Sequence, residues 1–345
     1  PILPSFIGLR GTNPTIGQRR EIAVQWGCMK SNTVFIIAII ALIIIGVTGY
    51  LLTRTSSTTD YDAPPQAEPA PQPTEETEPE EADTPQPPPE EEPADTARGD
   101  ETELGSSVEG RPLTASHFGD GATELLFVGG IHGGYSWNTA LLAYELIDYL
   151  DANPDVVPEN ITVTVLPVAN PDGLHAVAGT IGRFDPSALP SEESARVAAR
   201  FNGNDVDLNR NFDCEWESEG TWQTRTVDGG DAPFSEPETQ AIREYITSND
   251  PAAVVVYYSA AGGVYSSSCN NGVSSETAAL TNTYAEAASY PAFEEFDYYE
   301  ITGDMVNWVA EQDIAGISVL LTDHESIEWD RNRAGVAAVL EYYAE

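Results

Sequence analysis

Among the 345 residues there is one lysine, Lys30, and cations of any kind are scarce. Fifteen Lys and Arg stand against 56 Asp and Glu, a formal net charge of −41. That balance excludes a nucleic-acid binder working through a basic face, because polyanions are held by cationic side chains. It argues equally against adhesion to anionic lipid. Cysteine is sparse too: Cys28, Cys214 and Cys269 are too few for a disulfide-stapled scaffold. No internal repeat is visible. The chain does have apolar mass. Hydrophobic residues make up 41% and there are six tryptophans, so a real core is affordable and the whole chain is not disordered.

The charge is unevenly placed. Residues 1–59 hold one acid, Glu21, and residues 60–103 hold sixteen. Residues 104–345 carry 39 acids against nine arginines and no lysine, a net charge of −30. An acidic tail is usually a solvating spacer, but here the segment with globular composition is acidic as well. Such a surface repels itself at low salt. Concentrated salt shortens the screening length and removes most of that cost. With lysine almost absent, the composition points to a halophilic protein.

Three segments precede or make up the globular part. Residues 1–28 read as a non-native or cytoplasmic extension, with Met29 the expected start. Residues 33–53 enclose VFIIAIIALIIIGVTGYLL, Val34 to Leu52, 19 residues without a charge, which is long enough to cross a bilayer as a helix. No small-x-small cleavage site closes the run, so a retained transmembrane anchor is expected rather than a signal peptide. Residues 56–103 contain eleven prolines and almost no large apolar residue. They read as a disordered acidic stalk, extending roughly 100 Å or more at about 3.1 Å per residue. The expectation is a single-pass protein of the cell membrane with its globular domain outside the cell.

Residues 104–345 have a normal size for one α/β domain. Apolar strand patterns at Glu124–Val128, Ile161–Val168, Ala253–Tyr258 and Ile317–Leu321 alternate with helical ones. The helices are expected at Trp137–Leu150, Glu236–Thr247, Glu276–Ala288, Met305–Gln312 and Ile327–Tyr343. That alternation implies a mainly parallel sheet covered on both faces, with ligands taken at the C-terminal ends of its strands.

Three motifs in order carry a resemblance: GGIHGGY at Gly129–Tyr135; NPDG at Asn170–Gly173 with DLNRNF at Asp207–Phe212; and FSEPET at Phe234–Thr239. Together they resemble the zinc carboxypeptidase family of the carboxypeptidase A type, over nearly all of residues 120–345. The resemblance implies a three-layer α/β/α sandwich with a mixed, mainly parallel sheet. It also implies a zinc held by His-x-x-Glu and a later His, with a glutamate as general base on the zinc-bound water. An Asn–Arg pair would grip the peptide C-terminal carboxylate, and a further arginine would support the oxyanion.

Carried over residue by residue, that chemistry is only half present. His132 matches the first zinc ligand. Tyr135 stands where the glutamate belongs, and Tyr258 where the second histidine belongs. The general-base position falls on Leu320 or Leu321. Asp323, in the run TDHE with His324 and Glu325, is a possible displaced base. The carboxylate grip is retained as Asn209 and Arg210, with Arg200 at the oxyanion position. One histidine does not make a zinc site, so no cofactor is expected, with zinc reserved for a rearranged site. Against these functional readings, His132 could be a satisfied loop histidine. Tyr135 and Tyr258 could pack into the former metal cavity and bond each other, and Arg210 could pair with Asp207. His117 and His175 have no motif context.

Cys214 and Cys269 are expected at the same end of the sheet. A disulfide between them suits an oxidising exterior, and two buried free thiols are the alternative. The function expected is that of a membrane-tethered pseudoenzyme which binds peptide or protein C-termini. An active metallocarboxypeptidase with a rearranged site and a purely structural cell-surface module are the alternatives.

Overall fold

The computed structural model describes residues 101–345. The expected extension and anchor, and the stalk up to residue 100, lie outside the described residues. No helix among the described residues is long and apolar enough to cross a membrane. Strand β1, Glu101–Ser106, begins inside the last three residues of the segment read as stalk.

The centre is an eight-stranded sheet in the order β1-β2-β4-β3-β7-β10-β8-β9. Four parallel strands form its middle: β4 (Ile161–Leu166), β3 (Thr123–Val128), β7 (Ala253–Ser259) and β10 (Ala315–Leu321). Antiparallel pairings of β2 (Pro112–Phe118) with β1 and β4 extend one edge. On the other edge, β8 (Gly263–Ser266) runs antiparallel to β10 and parallel to the two-residue β9 (Ala292–Phe293). A separate hairpin, β5 (Glu219–Trp222) with β6 (Arg225–Asp228), stands apart from this sheet.

Successive strand residues point to opposite faces, and each face of the sheet has its own core. On one side Phe127, Val165, Tyr257, Val319 and Leu321 pack with α1 (Trp137–Ala152), α5 (Ser275–Ala288) and α7 (Trp329–Ala344). On the other side Val128, Val256, Tyr258 and Leu320 pack with α4 (Pro237–Asn249) and α6 (Met305–Glu311). The result is the expected helix–sheet–helix layering with a mixed, mainly parallel sheet. Two short helices, α2 (Pro171–Ala178) and α3 (Glu193–Ala198), lie in the loops.

The motifs DLNRNF and FSEPET are clamped to each other. Buried Asn211 reaches the carbonyls of Gly229 and Ala232 with its Nδ2, at 2.7 and 3.0 Å. Its Oδ1 accepts from the Glu236 N–H and from Thr239 Oγ1, at 3.1 and 2.6 Å. Glu236 and Glu238 in turn accept from Asn202 Nδ2. Pro171 opens α2, and Asn170 caps it by accepting from the Gly173 N–H at 2.8 Å. Buried Asp172 accepts from Ser107 and Arg111. Much of the motif sequence therefore sets the backbone of the loops at the top of the sheet.

Cys214 and Cys269 form a disulfide with Cα atoms 5.9 Å apart. It ties the loop after DLNRNF to the loop after β8. Gly303 has φ +61°, and a Cβ there would come within 2.2 Å of the Arg210 carbonyl oxygen, so only glycine lets the 300s loop close on that backbone.

Because Asn211 serves both loops, Asn211→Ala should lower unfolding stability by about 2–3 kcal/mol, the cost of orphaning several buried polar groups. Urea titration at constant salt should show a lower midpoint at unchanged slope.

Candidate functional site

A cleft of about 910 Å³ opens at the C-terminal ends of β3, β7 and β10. His132, Tyr135, Arg200, Asn209, Arg210, Tyr258, Leu320 and His324 all line it. His132 and Tyr135 come from the turn after β3, Tyr258 from the end of β7, and His324 from the loop after β10. Gly133 permits that first turn: its φ is +45°, and a Cβ would lie 2.6 Å from the Ala199 carbonyl oxygen.

The two arginines differ in their partners. Arg200 is 2% exposed, and its Nε and Nη2 both reach Asp207 Oδ2 at 2.8 Å. Its guanidinium lies 4.4 Å from the Trp222 ring centroid and 5.9 Å from that of Tyr135, which adds cation–π stabilisation. Arg210 is 1% exposed, yet no carboxylate among the described residues lies at ion-pair distance from it. Its Nε and Nη2 donate to the Thr221 carbonyl at 3.1 and 2.7 Å, and Nη1 to the Asn209 carbonyl at 2.5 Å. The pairing of Arg210 with Asp207 weighed from sequence does not form, because Arg200 occupies that acid. Burial pushes the Tyr299 hydroxyl pKa up, and the neighbouring Arg210 charge partly offsets this.

Asn209 is largely committed within the protein. Its Oδ1 accepts from the Tyr258 hydroxyl at 3.1 Å and the Met305 N–H at 3.2 Å. Its Nδ2 donates to Asp304 at 2.8 Å, which leaves one amide N–H for a ligand. Tyr258 thus bonds Asn209 rather than Tyr135. Tyr135 instead packs against Trp222 at 4.8 Å and His324 at 4.5 Å, centroid to centroid.

The positions read as possible general bases separate clearly. Leu320 is buried on the cleft side, while Leu321 is fully buried in the core of the opposite face. Leu321 is therefore excluded from the cleft. Asp323 does not reach the cleft as a displaced base. Its carboxylate accepts from the N–H groups of Glu325 and Ser326 at 2.8 and 2.7 Å, which hold its pKa below the ordinary value. The titratable side chain from TDHE that lines the cleft is His324. Sequence reading passed over Asn138 and over Trp222, which covers Arg200. Neither lies in a motif, and topology alone brings them to the site.

His132 is buried, and neither ring nitrogen has a hydrogen-bond partner. Burial, and then the charges of Arg200 and Arg210, push its pKa well below the usual histidine value. It is therefore not a satisfied loop histidine. It does not complete a zinc site either. Its neighbours at the other ligand positions are two phenols, and burial followed by Asp304 raises the Tyr258 pKa well above the ordinary value. A phenolate ligand is thereby disfavoured. No group of three His, Cys, Asp or Glu converges among the described residues. This donor set does not fit zinc.

Similarity to known proteins agrees with the motif order. The zinc carboxypeptidase family model matches residues 100–326, and the chain belongs to that family. Gamma-D-glutamyl-L-diamino acid endopeptidase 1 of Lysinibacillus sphaericus is 25% identical over 173 residues, 43% of this chain and 42% of that protein. Carboxypeptidase D of Homo sapiens is 33% identical over 122 residues, 32% of this chain and 8% of that protein. The chain thus aligns with less than half the length of these curated relatives. Among solved structures, thrombin activatable fibrinolysis inhibitor superposes with a TM-score of 0.57 at 17% identity, covering 72% of each chain. Carboxypeptidase A from Helicoverpa armigera gives 0.55 at 21% identity, covering 72% of this chain and 70% of its own. These two likenesses show the carboxypeptidase-like α/β fold.

Asp207→Asn should cost roughly 3–5 kcal/mol of stability, because it leaves the Arg200 charge buried without its counter-ion. Denaturant melts would show this directly, and an exposed control such as Asp313→Asn should stay within about 0.5 kcal/mol of the parent.

Proposed function

We propose that this carboxypeptidase-like domain binds the C-terminal carboxylate of peptides or proteins without hydrolysing them, as a pseudoenzyme. One observation carries the reading: Arg210 is a buried guanidinium at the cleft with carbonyl partners but, among the described residues, no carboxylate at ion-pair distance. An uncompensated buried charge is costly, and a guanidinium fork suits a carboxylate. A ligand carboxylate would supply a direct ion-pair partner, assisted by the remaining N–H of Asn209. Arg200, already neutralised by Asp207, borders the same space. Hydrolysis lacks its supports: the zinc ligand positions hold Tyr135 and Tyr258, and Leu320 lies at the expected base position.

The domain is held outside the cell by the anchor at 33–53 and the acidic stalk, in a salt-rich setting. Support for this comes from the uncharged 19-residue run and from the −30 charge of residues 104–345. A second reading, an active metallocarboxypeptidase with a rearranged site, is favoured by the two unpartnered nitrogens of His132.

Calorimetric titration of the full chain in high salt, with one peptide as its free acid and as its C-terminal amide, tests the first reading. The acid should bind and the amide should not. Arg210→Ala should weaken acid binding about thirtyfold, equivalent to ~2 kcal/mol for a charged hydrogen-bonded contact. Equal binding of acid and amide, or an unaffected Arg210→Ala variant, would contradict it.

A further inference from the structure

His324 hangs from a hydrogen-bond relay whose donor directions are fixed. The relay begins at Asn138, fully buried near the start of α1. Its Nδ2 lies 2.9 Å from the Asp323 carbonyl and 2.9 Å from the Ser326 carbonyl. Carbonyls only accept, so the amide nitrogen must face them and Oδ1 must face the other way. Oδ1 lies 3.1 Å from Ser259 Oγ, and an amide oxygen can only accept. The single hydroxyl proton of Ser259 is therefore spent on Asn138. Ser259 Oγ also lies 2.9 Å from His324 Nδ1. With its proton already committed, the oxygen must accept there, and Nδ1 must carry the hydrogen.

In the neutral imidazole only one nitrogen is protonated. Burial, then the charges of Arg196 and Arg200, lower the His324 pKa and favour that neutral form. Nε2 is then a bare lone pair. It has no hydrogen-bond partner among the described residues, and the ring lines the cleft, packed edgewise against Tyr135 at 4.5 Å. Around it, Arg200 and Arg210 are donors and Tyr258 and Asn209 are already bonded, while His132 is a second imidazole with unpartnered nitrogens. The same relay disqualifies Ser259 as a nucleophile with His324 as its base, because its proton points at Asn138 and His324 donates to it.

We infer that Asn138 and Ser259 are positioning residues that lock His324 as the Nδ1–H tautomer, making Nε2 a fixed hydrogen-bond acceptor in the cleft for an N–H or O–H of the bound ligand. For the ligand's identity this rests on the carboxylate reading above. It narrows the class to molecules that carry both a carboxylate and a nearby N–H or O–H donor, such as a peptide chain end, over simple carboxylic acids.

The test is nuclear magnetic resonance on the full chain with 15N in its four histidines. In His324 the nitrogen coupled to both ring carbon protons should have the unprotonated resonance, and the other the protonated one. Ser259→Ala, checked for folding by circular dichroism, should shift His324 towards the Nε2–H tautomer. Ser259→Thr, which keeps the hydroxyl, should preserve the original pattern. Addition of an N-acetylated tripeptide acid should move the Nε2 resonance towards its hydrogen-bonded value. Ser259→Ala should weaken that peptide about tenfold, one hydrogen bond's worth. An Nε2–H tautomer or an imidazolium in the parent at neutral pH would overturn the inference. So would a Ser259→Ala variant with unchanged tautomer, or peptide binding that leaves Nε2 unmoved. Failure of any peptide to bind, with the Nδ1–H tautomer present and dependent on Ser259, would uphold the lock and count against the Arg210 reading instead.

Discussion

Removing a guanidinium from water costs several kcal/mol unless the protein supplies polar partners in place of the solvent. This domain does so twice within one cleft, and much of its loop structure follows from that need. Arg200 is matched by Asp207 and covered by Trp222 from the β5–β6 hairpin. Arg210 is met by two backbone carbonyls, one of them from the same hairpin strand at Thr221. Holding those carbonyls in place takes Asn211, the FSEPET helix start, the Cys214–Cys269 bridge and the glycine at 303. In a segment, residues 104–345, with 39 acids and nine arginines, two of the cations have been withdrawn from solvent and line one space.

In the same space, phenols stand where the motif resemblance expects zinc ligands. Tyr135 and Tyr258 do more than fill volume. Tyr258 bonds Asn209, and Tyr135 forms the aromatic wall between Trp222 and His324. His132 is left buried and neutral with no partner for either nitrogen. The proposed anion binding rests on the two arginines of this cleft and on phenols at the positions where the resemblance expects a carboxylate and an imidazole.

How much of this was legible in the sequence follows from the range of the forces involved. The four central parallel strands and the helices α1 and α4 to α7 were readable because each is a local apolar run with its own period. Strands β1, β2, β8 and β9 were not: β1 and β9 are edge strands, β8 and β9 are short, and β2 takes its place from its pairing with the distant β4. Motif spacing led to His132, Arg200, Asn209 and Arg210, all of which line the cleft. It left the end of β10 undecided between Leu320 and Leu321. One residue of error exchanges the cleft for the opposite core, as Leu320 and Leu321 demonstrate. Asn138 carried no signal because its role exists only once three separate segments meet.

The account turns on a cleft organised for an anion and not for zinc, and metal content tests that most directly. The full chain, purified in high salt and dialysed against trace zinc without chelator, should retain well below one zinc per chain by elemental analysis. One tightly held zinc per chain, lost on replacing His132 with alanine, would contradict it.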